Sequence, residues 1–269
     1  MGAEKLKIEN GELKMKEPVT CNFSMAEVFR FLEELRENNN REWFNAHKEW
    51  YLAVKAGHED FINRVIPALA VTEPEVDGLT AKDCIFRIYR DVRFSPNKEP
   101  YKTHIGAYMV KGGKQSPRAG YYVHIEPGNC MIGGGIWCPE PSLLKALRKD
   151  VYDNIDEFTG IIRDAEFQKH YVLEGEKLKK VPAPFPADFP EGDLLKYKSY
   201  TVSNYVPDSF FEREDVVERC VERLLLMQPF NRFLNYTVEE TWRCSPEAVA
   251  GCLVASFRLK RGEFVAELL

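Results

Sequence analysis

The chain has 269 residues, 44% of them apolar and 29% charged, with a formal charge of −5 at neutral pH. That length supplies a substantial core and the balance is that of a globular protein, with no apolar run near the roughly 18 residues a spanning helix needs. Net negative charge argues against bulk nucleic-acid binding, which feeds on a broad basic face, and leaves room for a confined basic pocket.

Residues 1–20, MGAEKLKIENGELKMKEPVT, are polar and mixed in charge, without an apolar h-region. They predict a flexible arm rather than a secretory signal, and with it cytoplasmic residence. Ser24-Met25-Ala26-Glu27 has the capping-box pattern, in which the serine oxygen takes the glutamate amide and the carboxylate returns to the cap. Met25, Val28, Phe29, Leu32 and Leu35 recur at helical spacing until the Asn38-Asn39-Asn40 run. A second helix over residues 41–56 carries Trp43, Phe44, His47, Tyr51 and Val54 on one stripe, with Gly57 as its break and a further helix over 59–69. His47 on that stripe is either a hydrogen-bonded core-edge histidine or a ring aimed at the basic sheet predicted from Ile85 onward.

From Ile85 the period shifts toward two, which predicts a strand over 85–90. Further strands are expected over 104–111, 120–127 and 130–137, separated by Gly112-Gly113 and Gly128-Asn129. Such short links imply an antiparallel meander, because parallel pairs need long crossovers. Gly133-Gly134-Gly135 inside a strand marks close backbone approach rather than a phosphate loop. A helix capped by Ser142, another over 156–170, a proline-rich connection, a strand over 195–206 and a helix over 215–227 complete the order of elements. The pattern predicts one α+β domain over 21–235, an antiparallel sheet covered by helices, with an extension of open role over 236–269.

Eight lysines and arginines fall between Ile85 and Arg118 against two acids, a surplus of six, so the remainder of the chain carries −11. Such an excess points to a small anionic partner, phosphorylated or carboxylated, a nucleotide among them. Arg87, Arg90, Arg93 and Lys102 are the anion-binding candidates, since guanidinium forks and ammonium charge suit those groups. The bland alternative is a sheet face neutralised by acidic helices. Trp43, Tyr121 and Tyr122 are candidate pocket walls. His124 and Glu126 sit two apart on a strand and so share a face; with His104 they form the proton-transfer candidates, or a hard-metal site, against the plainer reading of a cross-strand hydrogen-bonded pair.

Seven cysteines at 21, 84, 130, 138, 220, 244 and 252 show no C-x-x-C or zinc spacing; Cys84, Cys130 and Cys220 lie in apolar contexts and read as small hydrophobes, and core or incidental roles are expected over redox or metal ones. No Gly-Lys-Ser/Thr phosphate loop, G-x-S-x-G elbow, H-E-x-x-H or dinucleotide fingerprint occurs, so no motif names a cofactor.

The stretches NNNREWFNAHKEWY (38–51), IFRIYRDVRFSPNKEPYKTHIGA (85–107), AGYYVHIEPG (119–128) and GGGIW (133–137) are together distinctive. With a looser LLKYKSY (194–200), the chain resembles a bacterial family catalogued as domain of unknown function 2461, over about residues 23–234. The resemblance implies a single α+β domain and no established activity. The 194–200 stretch departs from the family pattern, which leaves Lys196 and Lys198 outside the site. Together the residues predict a basic sheet pocket for a small anion, with acid–base chemistry beside it. A metal-assisted hydrolase and a protein-interaction module using the 236–269 extension are the alternatives.

Overall fold

The computed structural model describes residues 24–93 and 96–243, together with the backbone of a short antiparallel pair, β1 (Lys7–Glu9) and β2 (Glu12–Lys14). The arm expected over 1–20 otherwise lies outside the described residues, as does the extension beyond 243. Three asparagines do three jobs after α1 (Met25–Glu37). Asn38 ends that helix, Asn39 bonds both the amide and the carbonyl of Tyr101 at 3.1 and 3.0 Å, and Asn40 caps α2 (Arg41–Ala46) through the Trp43 amide at 2.9 Å. At the start of α1, Ser24 takes the Ala26 amide, one residue short of the expected one, and Glu27 meets Arg30 instead of the cap.

The expected break at Gly57 falls at His47 instead. Trp43 O accepts both the His47 backbone N–H at 3.0 Å and the ring Nδ1 at 2.8 Å, which turns His47 out of the helical conformation. The imidazole stacks on Trp43, so His47 is a core-edge residue. α3 (Lys48–Ala70) then runs unbroken through a buried Gly57. α4 (Ala81–Cys84) leads to the sheet.

β3 (Ile105–Met109), β4 (Gly120–Ile125) and β5 (Cys130–Ile136) form the expected meander. The chain next makes α5 (Pro141–Asp153), α6 (Ile155–Ile162) and α7 (Ala165–His170). Pro141 opens α5 with Glu140 at the cap position, so Ser142 lies inside the first turn rather than capping it. The single helix expected over 156–170 is divided at Asp164, whose carboxylate takes the amides of Glu166 and Phe167, both at 3.0 Å. An unforeseen edge strand, β6 (Val172–Glu174), precedes β7 (Tyr200–Val206), which crosses back beside β5 to give the antiparallel order β3-β4-β5-β7-β6. β7 is shorter than the strand expected over 195–206, because Leu194–Lys196 forms a 3-10 turn.

α8 (Val216–Leu226) and α9 (Gln228–Arg243) close the core, α9 continuing past Asn235. Asn231 donates to Gly120 O, Asn235 bonds the Ala119 amide and carbonyl, and Thr237 donates to Asp150. A Cβ on Gly134 would collide with Met227 Sδ, and one on Gly133 would stand 2.6 Å from Val202 O. The glycine run thus admits a helix on one side and a strand backbone on the other. The core face of the sheet carries Ile105, Ala107, Met109, Tyr121, Val123, Ile125, Ile132 and Val202, all buried. Burial pushes the thiols of Cys84, Cys130 and Cys220 up to about 11, 12 and 12, which keeps them unreactive. Among the described residues no helix is long and apolar enough to cross a membrane.

His58 is buried in α3 with no hydrogen bond to Nε2, and desolvation pushes its pKa down to about 3. The unfolded chain takes up a proton near the ordinary value of 6.5 while the folded chain does not, so stability falls as pH drops from 6.5 toward 3. One such proton contributes up to about 1.4 kcal/mol per pH unit. His58→Leu is expected to flatten the melting-temperature curve below pH 6.5. Parallel curves for the two proteins would remove His58 from the acid response.

Candidate functional site

Strand alternation places Tyr122 and His124 on the sheet face opposite the core, and Glu126 continues the same line past the end of β4. The three side chains form a chain: Tyr122 OH lies 2.9 Å from His124 Nδ1, and His124 Nε2 lies 3.3 Å from Glu126 Oε2. Glu126 is held further by Thr103 Oγ1 at 3.0 Å and by Asn129 Nδ2 at 2.8 Å. Gly106, paired with His124 across the ladder, makes the room: a Cβ there would stand 2.7 Å from Tyr122 OH.

His104 precedes β3, and the β3–β4 register continued by one residue sets it opposite Glu126 on the same face; an irregularity lies on the other side of β3. Residues 85–90, expected as a regular strand, run extended beside residues 100–107; Arg90 N bonds Pro100 O at 2.9 Å, and nearer β3 come Lys102 N to Ile88 O at 2.8 Å and Phe86 N to Gly106 O at 3.0 Å. Between the latter two bonds Arg87 alone stands opposite Thr103, His104 and Ile105. The surplus residues bulge out of the ladder, as bulges beside sites do to re-aim side chains. Thr103 thereby reaches Glu126, and the His104 ring lies 4.4 Å from that of His124. One donor atom each from His104, His124 and Glu126 lies within 4.8 Å of the others.

The protonation states follow from burial and neighbours. Desolvation pushes His104 down to about 4, helped by His124, Lys102 and Arg90 against the pull of Glu126. Burial likewise lowers His124, while Glu126 opposes. Burial alone would raise Glu126, but hydrogen bonds from Asn129, His124 and Thr103 outweigh it and hold the carboxyl below its ordinary value. At neutral pH the site therefore holds two neutral imidazoles and a carboxylate. Since a carboxylate only accepts, His124 Nε2–H donates to Glu126, and Tyr122 O–H donates to Nδ1. Burial pushes Tyr122 up to about 12, so its hydroxyl keeps its proton.

The other expected residues divide. Lys102 adjoins the bulge, with its ammonium 5.5 Å from the centre of the Phe86 ring. Arg87 is exposed and makes no hydrogen bond or ion pair among the described residues. Arg90 meets Glu99 at 3.4 Å. Arg93 is exposed and gripped by Asp91 through Nε and Nη2, the latter at 2.6 Å, so its fork is already engaged. Tyr121 cannot line this site: alternation turns it to the core face, where its hydroxyl donates to Glu73 at 2.7 Å. Trp43 packs with Phe31, His47 and Trp50 in the helical layer, not over the sheet. Thr103, Asn129, Phe86 and Gly106 went unnoticed in sequence. Asn129 sits three residues after Glu126 in an expected turn, a reach that could have been seen; the role of Gly106 depends on a ring from another strand.

Two clefts lie elsewhere. One of about 490 Å³ runs between α5 and residues 184–186, and one of about 410 Å³ is lined by Glu73, Arg118, Tyr121 and Asn231. Neither is lined by the His104–His124–Glu126 cluster.

Sheet order, helical cover and an outer face with a two-histidine, one-carboxylate cluster define this as an α+β protein. A family model described as "Conserved hypothetical protein (DUF2461)" matches residues 27–233, and the chain belongs to that family. No curated protein and no solved structure matches the chain.

Gly106→Ala should displace the Tyr122 ring and cost about 1–3 kcal/mol, the usual penalty of overpacking. Tyr122→Phe removes the same hydrogen bond without the clash. Both should move the His124 nitrogen resonances in the same direction, whereas Tyr121→Phe, altered on the other face, should not. Unchanged His124 resonances in Tyr122→Phe would refute the chain of contacts.

Proposed function

We propose that the protein binds a phosphorylated or carboxylated small molecule on the outer face of its sheet, beside His104, His124 and Glu126. Lys102 is the observation that carries this reading. It is half-buried with no carboxylate partner among the described residues, and burial together with Arg87 and Arg90 pushes its pKa below the ordinary lysine value. Crowding like charges without a counter-charge is unfavourable, and an anion relieves it. Arg87 brings an unengaged fork to the same neighbourhood, and Arg90 adds one that only a 3.4 Å contact holds back. The exposed ring of Phe86, beside Tyr122 and Lys102, suits a ligand with a flat organic part, of which a nucleotide is one. Beside the anion, the neutral His104 and the His124–Glu126 pair supply groups that accept or pass a proton.

The test is calorimetry with inorganic phosphate, pyrophosphate, citrate and adenosine monophosphate. At least one should bind, and Lys102→Met should weaken it by about tenfold or more, the loss of one charge-assisted bond. Arg93→Met, whose side chain is engaged by Asp91, should bind as the parent does. No binding across the panel, or equal losses in the two variants, would refute the reading.

A further inference from the structure

The cluster on the outer face also has the composition of a metal centre. We propose that His104, His124 and Glu126 bind one divalent transition ion through two imidazole nitrogens and a carboxylate oxygen. This does not depend on the anion reading, because it rests on the donor atoms alone.

Three features support it. First, the spacing suits an ion. Ligands about 2.0–2.1 Å from a metal stand about 2.9–3.4 Å apart when they are neighbours in its shell. His124 Nε2 and Glu126 Oε2 are already 3.3 Å apart. The full set lies within 4.8 Å, so closing it needs about 1.5 Å of side-chain movement to reach those ligand separations. Second, each of His124 and Glu126 has an outer partner that fixes its direction. Tyr122 holds His124 at Nδ1, and Thr103 and Asn129 hold Glu126. Such supporting contacts are how proteins orient metal ligands. Third, His124 lies on the sheet, His104 directly precedes β3, and Glu126 opens the tight β4–β5 turn, which the Asn129 N–H to Glu126 O bond closes at 2.9 Å. His124 is 12% and Glu126 19% exposed, so the donors are sheltered yet reachable.

The donor set selects the ion. Two nitrogens and one oxygen suit zinc, iron(II), cobalt(II) or nickel(II), whereas magnesium and calcium prefer oxygen throughout. Three protein ligands leave room for at least one exogenous ligand. The positive charges of Lys102 and Arg90 reach His104, and only Glu126 offsets them. A bare dication is therefore opposed, and an anion that touches both ion and cations should tighten its binding. By linkage the ion then tightens the anion by the same factor.

Ion binding has a proton consequence that a hydrogen-bonded pair lacks. Without an ion, Nε2–H of His124 donates to Glu126. An ion between those atoms needs the Nε2 lone pair, so that proton leaves to solvent and Nδ1 takes one up. The ring stays neutral, and Nδ1–H then donates to the Tyr122 oxygen.

The test uses the full-length chain, stripped with chelator and titrated with cobalt(II) and zinc(II) in a buffer free of phosphate and carboxylate. One ion should bind per chain, with visible cobalt absorption of nitrogen–oxygen ligation. Nitrogen resonances of His124 should change from the Nε2–H to the Nδ1–H form. Glu126→Gln and His104→Gln, chosen because they leave the core face untouched, should each weaken the ion at least tenfold while melting as cooperatively as the parent. His170→Gln, whose parent ring bonds Arg223 away from the site, should bind normally. Absence of binding, or variants that bind as the parent does, or a His124 proton that stays on Nε2, would overturn the proposal. Lys102→Met separates the two readings: it should lose the anion and keep the ion.

Discussion

Between the bonds Phe86–Gly106 and Lys102–Ile88, Arg87 alone stands opposite Thr103, His104 and Ile105, and the position of Thr103 among the polar groups depends on that mismatch. The β3–β4 register, continued one residue past the Ile105–Ile125 pair, already sets His104 opposite Glu126 on the outer face, whereas alternation alone would turn Thr103 to the core side. The surplus lets Thr103 bond Glu126, while the His104 ring lies beside that of His124. What holds the bulge lies partly in the helices. Asn39, between α1 and α2, bonds the Tyr101 amide and carbonyl as a neighbouring strand would, and Phe44 stacks on the Tyr101 ring at 3.9 Å. The helical layer thereby fixes the residue next to Lys102. A change in the asparagine run would be felt at the site without touching it.

Elements with a strong local signal were legible in the sequence. The three meander strands stand where alternation and glycine turns put them, and α1 and α8 where apolar spacing did. Alternation also paired His124 with Glu126 correctly. The same rule, applied to Tyr121 and Tyr122, separates them to opposite faces, so the two cannot wall one pocket. The two misplaced helix breaks share a cause: a side chain bonds the backbone at short range. His47 on Trp43 O and Asp164 on two amides each end a helix that the apolar pattern would continue. The bulge was illegible, because it exists only in the register between two distant stretches. Gly106 was illegible for a like reason, since its space is claimed by a ring from β4.

Most of the positive charge that makes the 85–118 stretch conspicuous is fastening. Arg118 is buried between Glu75 and Glu239, Lys111 meets Glu75, and Arg93 grips Asp91. Lys98 and Lys114 donate to backbone carbonyls, and Arg90 leans on Glu99. Each of these contacts cancels or solvates a charge locally, which is what an acidic protein would be expected to do with a basic segment. Arg87 and Lys102 have no such partner among the described residues, and both stand where the ladder is out of register. Burial makes the Lys102 charge costly, yet the surrounding side chains supply cations rather than carboxylates. Glu126, beside the imidazoles, is turned toward His124, Thr103 and Asn129 instead. Six of the eight cations are thereby paired with a carboxylate or solvated by a carbonyl, whereas Lys102, crowded by Arg87 and Arg90, has neither among the described residues and also helps hold the His104 imidazole neutral.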